Sequence, residues 1–188
     1  MPKSVLAYVF WHWPRADVEP GRYEDLQRRF HAALQAAPSP GYLRSHSAGF
    51  SGAAWAGNGG EAYEDWYLVD GSAALDPLND AAVSASRQSA HDAAAAVAAG
   101  GTAGLYRLRS GNLVEAPRQA CWFGKPDGMS YSAFYSALQP LLADTGGALW
   151  GRQMTLGPTP EFCLHTVEPV AVPEPFKTLR VVLRPIWP

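Results

Sequence analysis

Apolar and polar positions along the chain switch between a period of two and a period near 3.6, and the switches mark its elements. Residues 5–13 read VLAYVFWHW, a β-branched and aromatic run closed by Pro14, the pattern of a strand buried on both faces. Over 23–37, Tyr23, Leu26, Phe30, Ala33 and Leu34 recur at helical spacing, with Glu24, Asp25, Arg28 and Arg29 opposite them and Pro38, Pro40 and Gly41 as the stop. Residues 42–50 and 62–69 read as the two strands of a long hairpin, joined by a glycine-rich loop that carries Trp55. Asp70, Gly71 and Ser72 open a helix over 72–83, and an alanine-rich helical piece follows over 87–99. Gly100 and Gly101 end that piece before a short strand at 105–109.

The order strand, helix, strand, strand, helix, strand is that of a split βαβ, or ferredoxin-like, unit. Part of it recurs. ACWFG at 120–124 lies on AYVFW at 7–11, with Phe123 under Phe10, Tyr131 under Tyr23 and Gly147 under Gly41. A helix over 132–142, strands at 148–156 and 161–167 and a last strand at 178–186 complete the second copy. Pro169, Pro173 and Pro175 forbid its second helix. The expected architecture is therefore α+β: two tandem ferredoxin-like repeats, at 1–115 and 116–188, forming one pseudo-dimeric barrel inside a single chain, the second repeat truncated.

With 188 residues and 47% hydrophobic content the chain has material for a sizeable core. A formal charge of -2 lacks the basic footprint of a general nucleic-acid binder. No run approaches the roughly 20 apolar residues of a membrane span, and the first residues carry no secretory pattern, so the expected location is the cytoplasm. Cys121 and Cys163 belong to no metal-ligand spacing and read as reduced core thiols, although neighbouring strands would also allow them to pair. Phosphate-binding glycine loops, H-E-x-x-H and G-x-S-x-G are all absent, which removes nucleotide-dependent, zincin and α/β-hydrolase readings.

The tandem pattern resembles a fused form of the dimeric α+β barrel superfamily, in which two four-stranded sheets pack around a shared interior. FHAALQAAPSPGY (30–42) is similar to the first helix and turn of EthD-like members, and YLVDGSAALDPL (67–78) to the strand-to-helix junction of antibiotic-biosynthesis-monooxygenase-like members. The resemblance implies a range of activities: cofactor-independent oxygenases, isomerases and dehydratases, haem-binding and haem-degrading proteins, chlorite-dismutase-like enzymes and small stress proteins. Fusion of the usual two subunits implies a monomer or a weak homodimer.

Candidate chemistry follows from strand alternation. The first strand splits into Leu6, Tyr8, Phe10 and His12 on one face and Val5, Ala7, Val9 and Trp11 on the other, and the smaller set suits packing under helices. Tyr8, Phe10 and His12 are thus expected to face the interior between the sheets. Arg44 and His46 share a face of the second strand, and either Asp65 with Tyr67 or Glu64 with Trp66 shares one of the third. Reading the first and third strands as parallel neighbours puts His12 near 67–70 and 42–46. Histidine, arginine and a carboxylate then meet in an aromatic-walled pocket for a small apolar or aromatic molecule, with His12, His46 and Asp65 as acid/base groups and Arg44 on an anionic oxygen. The second repeat offers a thinner analogue in Arg152 and His165. Against this stands the reading of His12 and His46 as strand-end histidines bonded to backbone or solvent. His31 reads as a buried helix histidine, and His91, beside Asp92, as part of a helix start. No cofactor is required; haem is the alternative, with His46, His91 or His165 as axial ligand. A metal bound by His12, His46 and Asp65 and a non-enzymatic module whose Trp and Tyr side chains fill the interior are further options.

Overall fold

The computed structural model describes residues 4–188, the side chains of 58 and 85 excepted. Its first half runs β1 (Val5–Pro14), α1 (Pro20–Ala36), β2 (Tyr42–Phe50), β3 (Ala62–Asp70), α2 (Leu75–Ala82), α3 (Ala85–Ala95) and β4 (Ala98–Gly111). The second runs β5 (Gln119–Phe123), α4 (Tyr131–Thr145), β6 (Ala148–Arg152), β7 (Phe162–Thr166), β8 (Thr178–Val182) and β9 (Arg184–Trp187). The nine strands form one antiparallel sheet in the order β8-β5-β7-β6-β4-β1-β3-β2-β9. Each half has the ferredoxin-like order, β4-β1-β3-β2 and β8-β5-β7-β6, and the second half has a single helix, so the α+β pseudo-dimeric barrel is present as expected.

Two strands join the halves. β4 is long enough to pair with β1 through Arg107 and with β6 from Tyr106 onward. The last strand, expected to be continuous, breaks at Leu183, so that β8 pairs with β5 and β9 with β2. Because β8 and β9 sit at opposite ends of the strand order yet are consecutive in the chain, the sheet curls almost closed and few edge groups remain unpaired.

Several local expectations change for physical reasons. β1 and β3 run antiparallel, with His12 opposite Tyr63 and Phe10 opposite Asp65, so His12 lies far from 67–70 along the ladder. Gly100 and Gly101 do not cap a helix; they lie inside β4, where the rings of Trp13 and Phe10 cross them and leave no room for a Cβ. α1 stops at Ala36, ahead of Gly41, which at φ +78 makes the turn into β2, where a Cβ would come 2.5 Å from that of Ala74.

The face assignment of β1 is the reverse of the expected one. Ala7, Val9 and Trp11 point into the barrel, where they pack with Trp66, Tyr106, Trp122, Trp150 and Cys163. Small side chains line up there because four indoles from both halves already fill the space, and a closed interior accommodates bulk only by alternating it with alanine and valine. Leu6, Phe10 and His12 face the helices instead, over a core of Phe30, Leu34, Tyr67, Val69 and Leu78. In the second half the matching outer face is closed: Phe123, Phe134, Phe162 and Leu164 pack against α4, and Val170 and Phe176 of the proline-rich segment fill the place of a second helix. Cys121 lies on that outer face and Cys163 inside the barrel, both as free thiols. Strand alternation therefore holds the two sulfurs on opposite sides of the sheet.

Candidate functional site

On the outer face of the first half, β3 presents Tyr63, Asp65 and Tyr67 in alternation. Across from them α1 presents Tyr23, Gln27 and His31, spaced by four and so stacked on one stripe, all buried. The two polar rows meet at Asp65, whose Oδ2 accepts a hydrogen bond from the Tyr67 hydroxyl at 2.9 Å. His12 Nε2 lies 3.2 Å from Oδ2 and His31 Nε2 3.2 Å from Oδ1, at ion-pair distance without the alignment of hydrogen bonds. His12 Nδ1 is 2.6 Å from the Tyr23 hydroxyl. His31 Nδ1 is 2.7 Å from the Ser45 hydroxyl, which in turn accepts from Tyr42 at 2.8 Å. The tautomer that serves every partner carries the proton of each histidine on Nε2, toward Asp65, and lets Tyr23 and Ser45 donate to Nδ1.

Asp65 is 1% exposed. Burial pushes its carboxyl up, but the electrostatic attraction and the Nε2 contacts of the two imidazoles, His12 and then His31, outweigh that and hold it well below the usual range. Asp65 is thus a lone carboxylate solvated by side chains instead of water. The Tyr23 and Tyr67 hydroxyls are pushed well up, first by burial and then by the Asp65 charge, and remain donors.

This cluster forms the inner end of a cavity of about 270 Å³ between the sheet and helices α1, α2 and α3. Its inner wall includes His12, Tyr23, Gln27, Asp65 and Tyr67; its sides are Phe10, Phe30, Leu34 and Leu78; Tyr8, Ala82 and Val83 stand toward solvent.

The barrel side of the same strands holds a second cluster. Glu64 Oε2 accepts from Trp11 Nε1 at 3.3 Å, and Glu64 Oε1 is 3.7 Å from His165 Nε2. His165 packs edge-on to Trp66 with ring centres 4.4 Å apart, and His46 stacks on Trp66 at 5.8 Å. Burial raises the Glu64 carboxyl to about 7, against stabilising contacts from Trp11 and Trp66, and lowers His165 to about 3. His46 is lowered well below its usual value, by burial first and then by His165 and Arg44.

The single pocket expected from the sequence is therefore two sites on opposite faces of β3. Tyr8, Phe10, His12, Asp65 and Tyr67 come together on the helix side. His46, Trp66 and His165 lie in the barrel, so a metal held jointly by His12, His46 and Asp65 is ruled out by strand alternation. Arg44 donates to the Val114 carbonyl at 2.7 Å and Arg152 to the Thr159 carbonyl, so neither reaches the cavity. Sequence reasoning missed His31, Tyr23 and Gln27 as site residues; their i, i+4, i+8 spacing inside an apolar helix face was the available signal.

No protein-family model matches the chain, and no curated protein matches it in sequence. Solved structures do. A candidate monooxygenase from Fusobacterium nucleatum superposes with a TM-score of 0.65 at 8% identity, covering 99% of this chain and 94% of that one. A candidate monooxygenase from Lactobacillus acidophilus gives 0.55 at 10% identity, with 88% and 78% covered. A protein described as a candidate chlorite dismutase gives 0.52 at 9% identity, with 97% and 94% covered. The fold is that of the dimeric α+β barrels. At such identities the likeness speaks for the fold and leaves the chemistry to the residues.

Proposed function

We propose that this α+β barrel binds a small, mostly apolar molecule in the cavity between sheet and helices of its first half and moves a proton to or from it through His12. One observation carries the reading: a buried Tyr23–His12–Asp65 array ends an open, apolar-walled cavity. A ligand hydroxyl or activated C–H at the inner wall gives its proton to the Tyr23 oxygen as the Tyr23 proton passes to His12 Nδ1. The products are the ligand anion and an imidazolium beside the Asp65 carboxylate, which stabilises the new charge. Electron-rich anions of that kind isomerise or react with dioxygen, and the second course agrees with the description of two structural neighbours as candidate monooxygenases. The EthD-like and monooxygenase-like segments of α1 and the β3–α2 junction border this cavity, and a barrel completed within one chain supports a monomer.

The haem reading finds no suitable ligand. His46 and His165 are sealed among indoles, and His91 leans on Phe30 with Nδ1 3.1 Å from Asp92. The cavity beside it, at about 270 Å³, falls below the ~300–1,000 Å³ of drug-sized sites. The residues present do not fit a macrocycle.

The test uses 2-tetralone, an uncharged bicyclic ketone with an acidic C–H. Binding is read by saturation-transfer NMR, and catalysis by hydrogen–deuterium exchange in heavy water. Ala82→Trp, at the mouth, is expected to abolish both, while His12→Gln keeps binding and slows exchange by at least ~100-fold. Binding unaffected by Ala82→Trp, or exchange unaffected by His12→Gln, overturns the proposal.

A further inference from the structure

Resting on that cavity as the ligand site, we infer that it selects uncharged ligands carrying a hydroxyl and rejects carboxylates and other anions. No lysine or arginine is among the described residues that line it, and its one acidic residue is Asp65. Three arginines on the neighbouring elements are committed elsewhere: Arg44 to the Val114 carbonyl on the barrel side, Arg87 to the carbonyls of Ala37 and Ala81, and Arg28 to Glu24 and Asp25. His91 is half-buried at the lining and already faces Asp92.

The donors at the inner wall are spent as well. Tyr67 donates to Asp65 and Tyr23 bonds to His12, so a carboxylate placed there would find its hydration shell replaced by apolar rings and a like charge. Acceptor capacity, in contrast, is spare. A carboxylate has about four lone-pair sites, and Tyr67 with the Nε2 atoms of His12 and His31 engages three of those of Asp65, which leaves one for a ligand. A ligand O–H therefore gains an acceptor where a ligand anion gains only repulsion. With an effective dielectric near 20 and about 5 Å between charges, the repulsion alone weakens an anion on the order of 100-fold.

The experiment compares three probes of one shape: 2-naphthol, methyl 2-naphthoate and 2-naphthoate, titrated at pH 7 with protein fluorescence as the readout. 2-Naphthol binding more tightly than the ester, with 2-naphthoate at least ~30-fold weaker than either, supports the inference, and an ester that matches 2-naphthol overturns its hydroxyl part. Asp65→Asn should then narrow that gap, provided the variant retains the wild-type circular dichroism; the ester separates charge from size without it. Equal binding of all three overturns the charge selection and leaves the cavity reading standing. Tightest binding of 2-naphthoate overturns the selection and points to a cation that reaches the wall. Failure of all three to bind overturns the cavity reading and this inference with it.

Discussion

Replacing Glu64 with glutamine should make the protein more stable, and by an amount that depends on pH. Glu64 is 1% exposed inside the barrel, and its carboxyl titrates near 7 instead of the ordinary 4.5. The cause is burial, with the neighbouring Asp65 charge acting the same way and the indole N–H groups of Trp11 and Trp66 opposing it. Below pH 4.5 both folded and unfolded chains hold the proton and the site costs nothing. Between 4.5 and about 7 the folded chain binds more protons than the unfolded one, so stability falls as pH rises. Above that window the cost is complete, about 3 kcal/mol at roughly 1.4 kcal/mol per unit. Glutamine keeps the shape and an acceptor for Trp11 without the charge. The difference in unfolding free energy between Glu64→Gln and wild type, from urea titrations followed by tryptophan fluorescence, should thus grow by about 3 kcal/mol from pH 4.5 to 8. A difference that stays flat across that range would refute the reasoning, since it would mean that water reaches Glu64 and the indole-lined interior is not dry.

On the acid side the slope reverses. His165, lowered to about 3, binds protons in the unfolded chain first, so stability falls as pH drops from 6.5 toward 3; His165→Gln should make the acid limb of the same titrations shallower, and an unchanged limb would show that His165 is not held neutral. Trp66→Ala removes a fully buried indole packed on Trp122, Trp150 and Tyr106 and should cost ~3–5 kcal/mol in urea unfolding; a loss under ~1 kcal/mol would mean that the barrel is not packed around it. Gly101→Ala drives a methyl into the Phe10 ring and should cost ~1–3 kcal/mol while weakening 2-tetralone binding, because Phe10 lines the cavity; full retention of binding would place the displaced ring elsewhere.

Much of the architecture was legible because strand and helix periods are written in apolar residues that had to be buried somewhere. The run at 5–13, the helix with Phe30 and Leu34, the hairpin and the echo of AYVFW in ACWFG suffice for two ferredoxin-like halves. What alternation alone does not contain is which face of a doubly buried strand is the inside. The small set Ala7 and Val9 fits under a helix as well as against an indole; the choice was made by Trp66, Trp122 and Trp150, which arrive from strands remote in sequence. The break at Leu183 was equally hidden, since β8 and β9 differ only in which half of the barrel they pair with. At the site, Asp65 and His12 were readable as candidates, but their meeting depends on β1 and β3 running antiparallel, and His31 on a helix stripe whose polar members interrupt an apolar face.

Adjacent carboxylates on β3 show why the proposed proton transfer is assigned to the helix side. Glu64 and Asp65 differ by one residue and by one methylene, and each is 1% exposed. Glu64 enters a space whose described neighbours are mostly indole, imidazole and aliphatic groups, with one indole N–H at 3.3 Å, and its proton stays bound up to about pH 7. Asp65 enters a row of two imidazoles and a phenol and keeps its charge well below the usual carboxylate range. Burial acts on both alike, so the donors decide the outcome. A permanent charge beside an imidazole, at the end of a cavity with an apolar wall, can stabilise an imidazolium formed during proton transfer. Glu64, behind Trp11 and Trp66, faces the His165 imidazole at 3.7 Å, whose protonated form burial disfavours, and the second half of the chain, whose outer face is filled by Phe123, Phe134, Phe162 and Phe176, has no counterpart to His12 or His31 among the described residues there. The two ferredoxin-like halves thus differ on their outer faces, one open to the cavity beside Asp65 and the other closed by packed aromatic rings, while both contribute strands to the sheet that holds β3 in place.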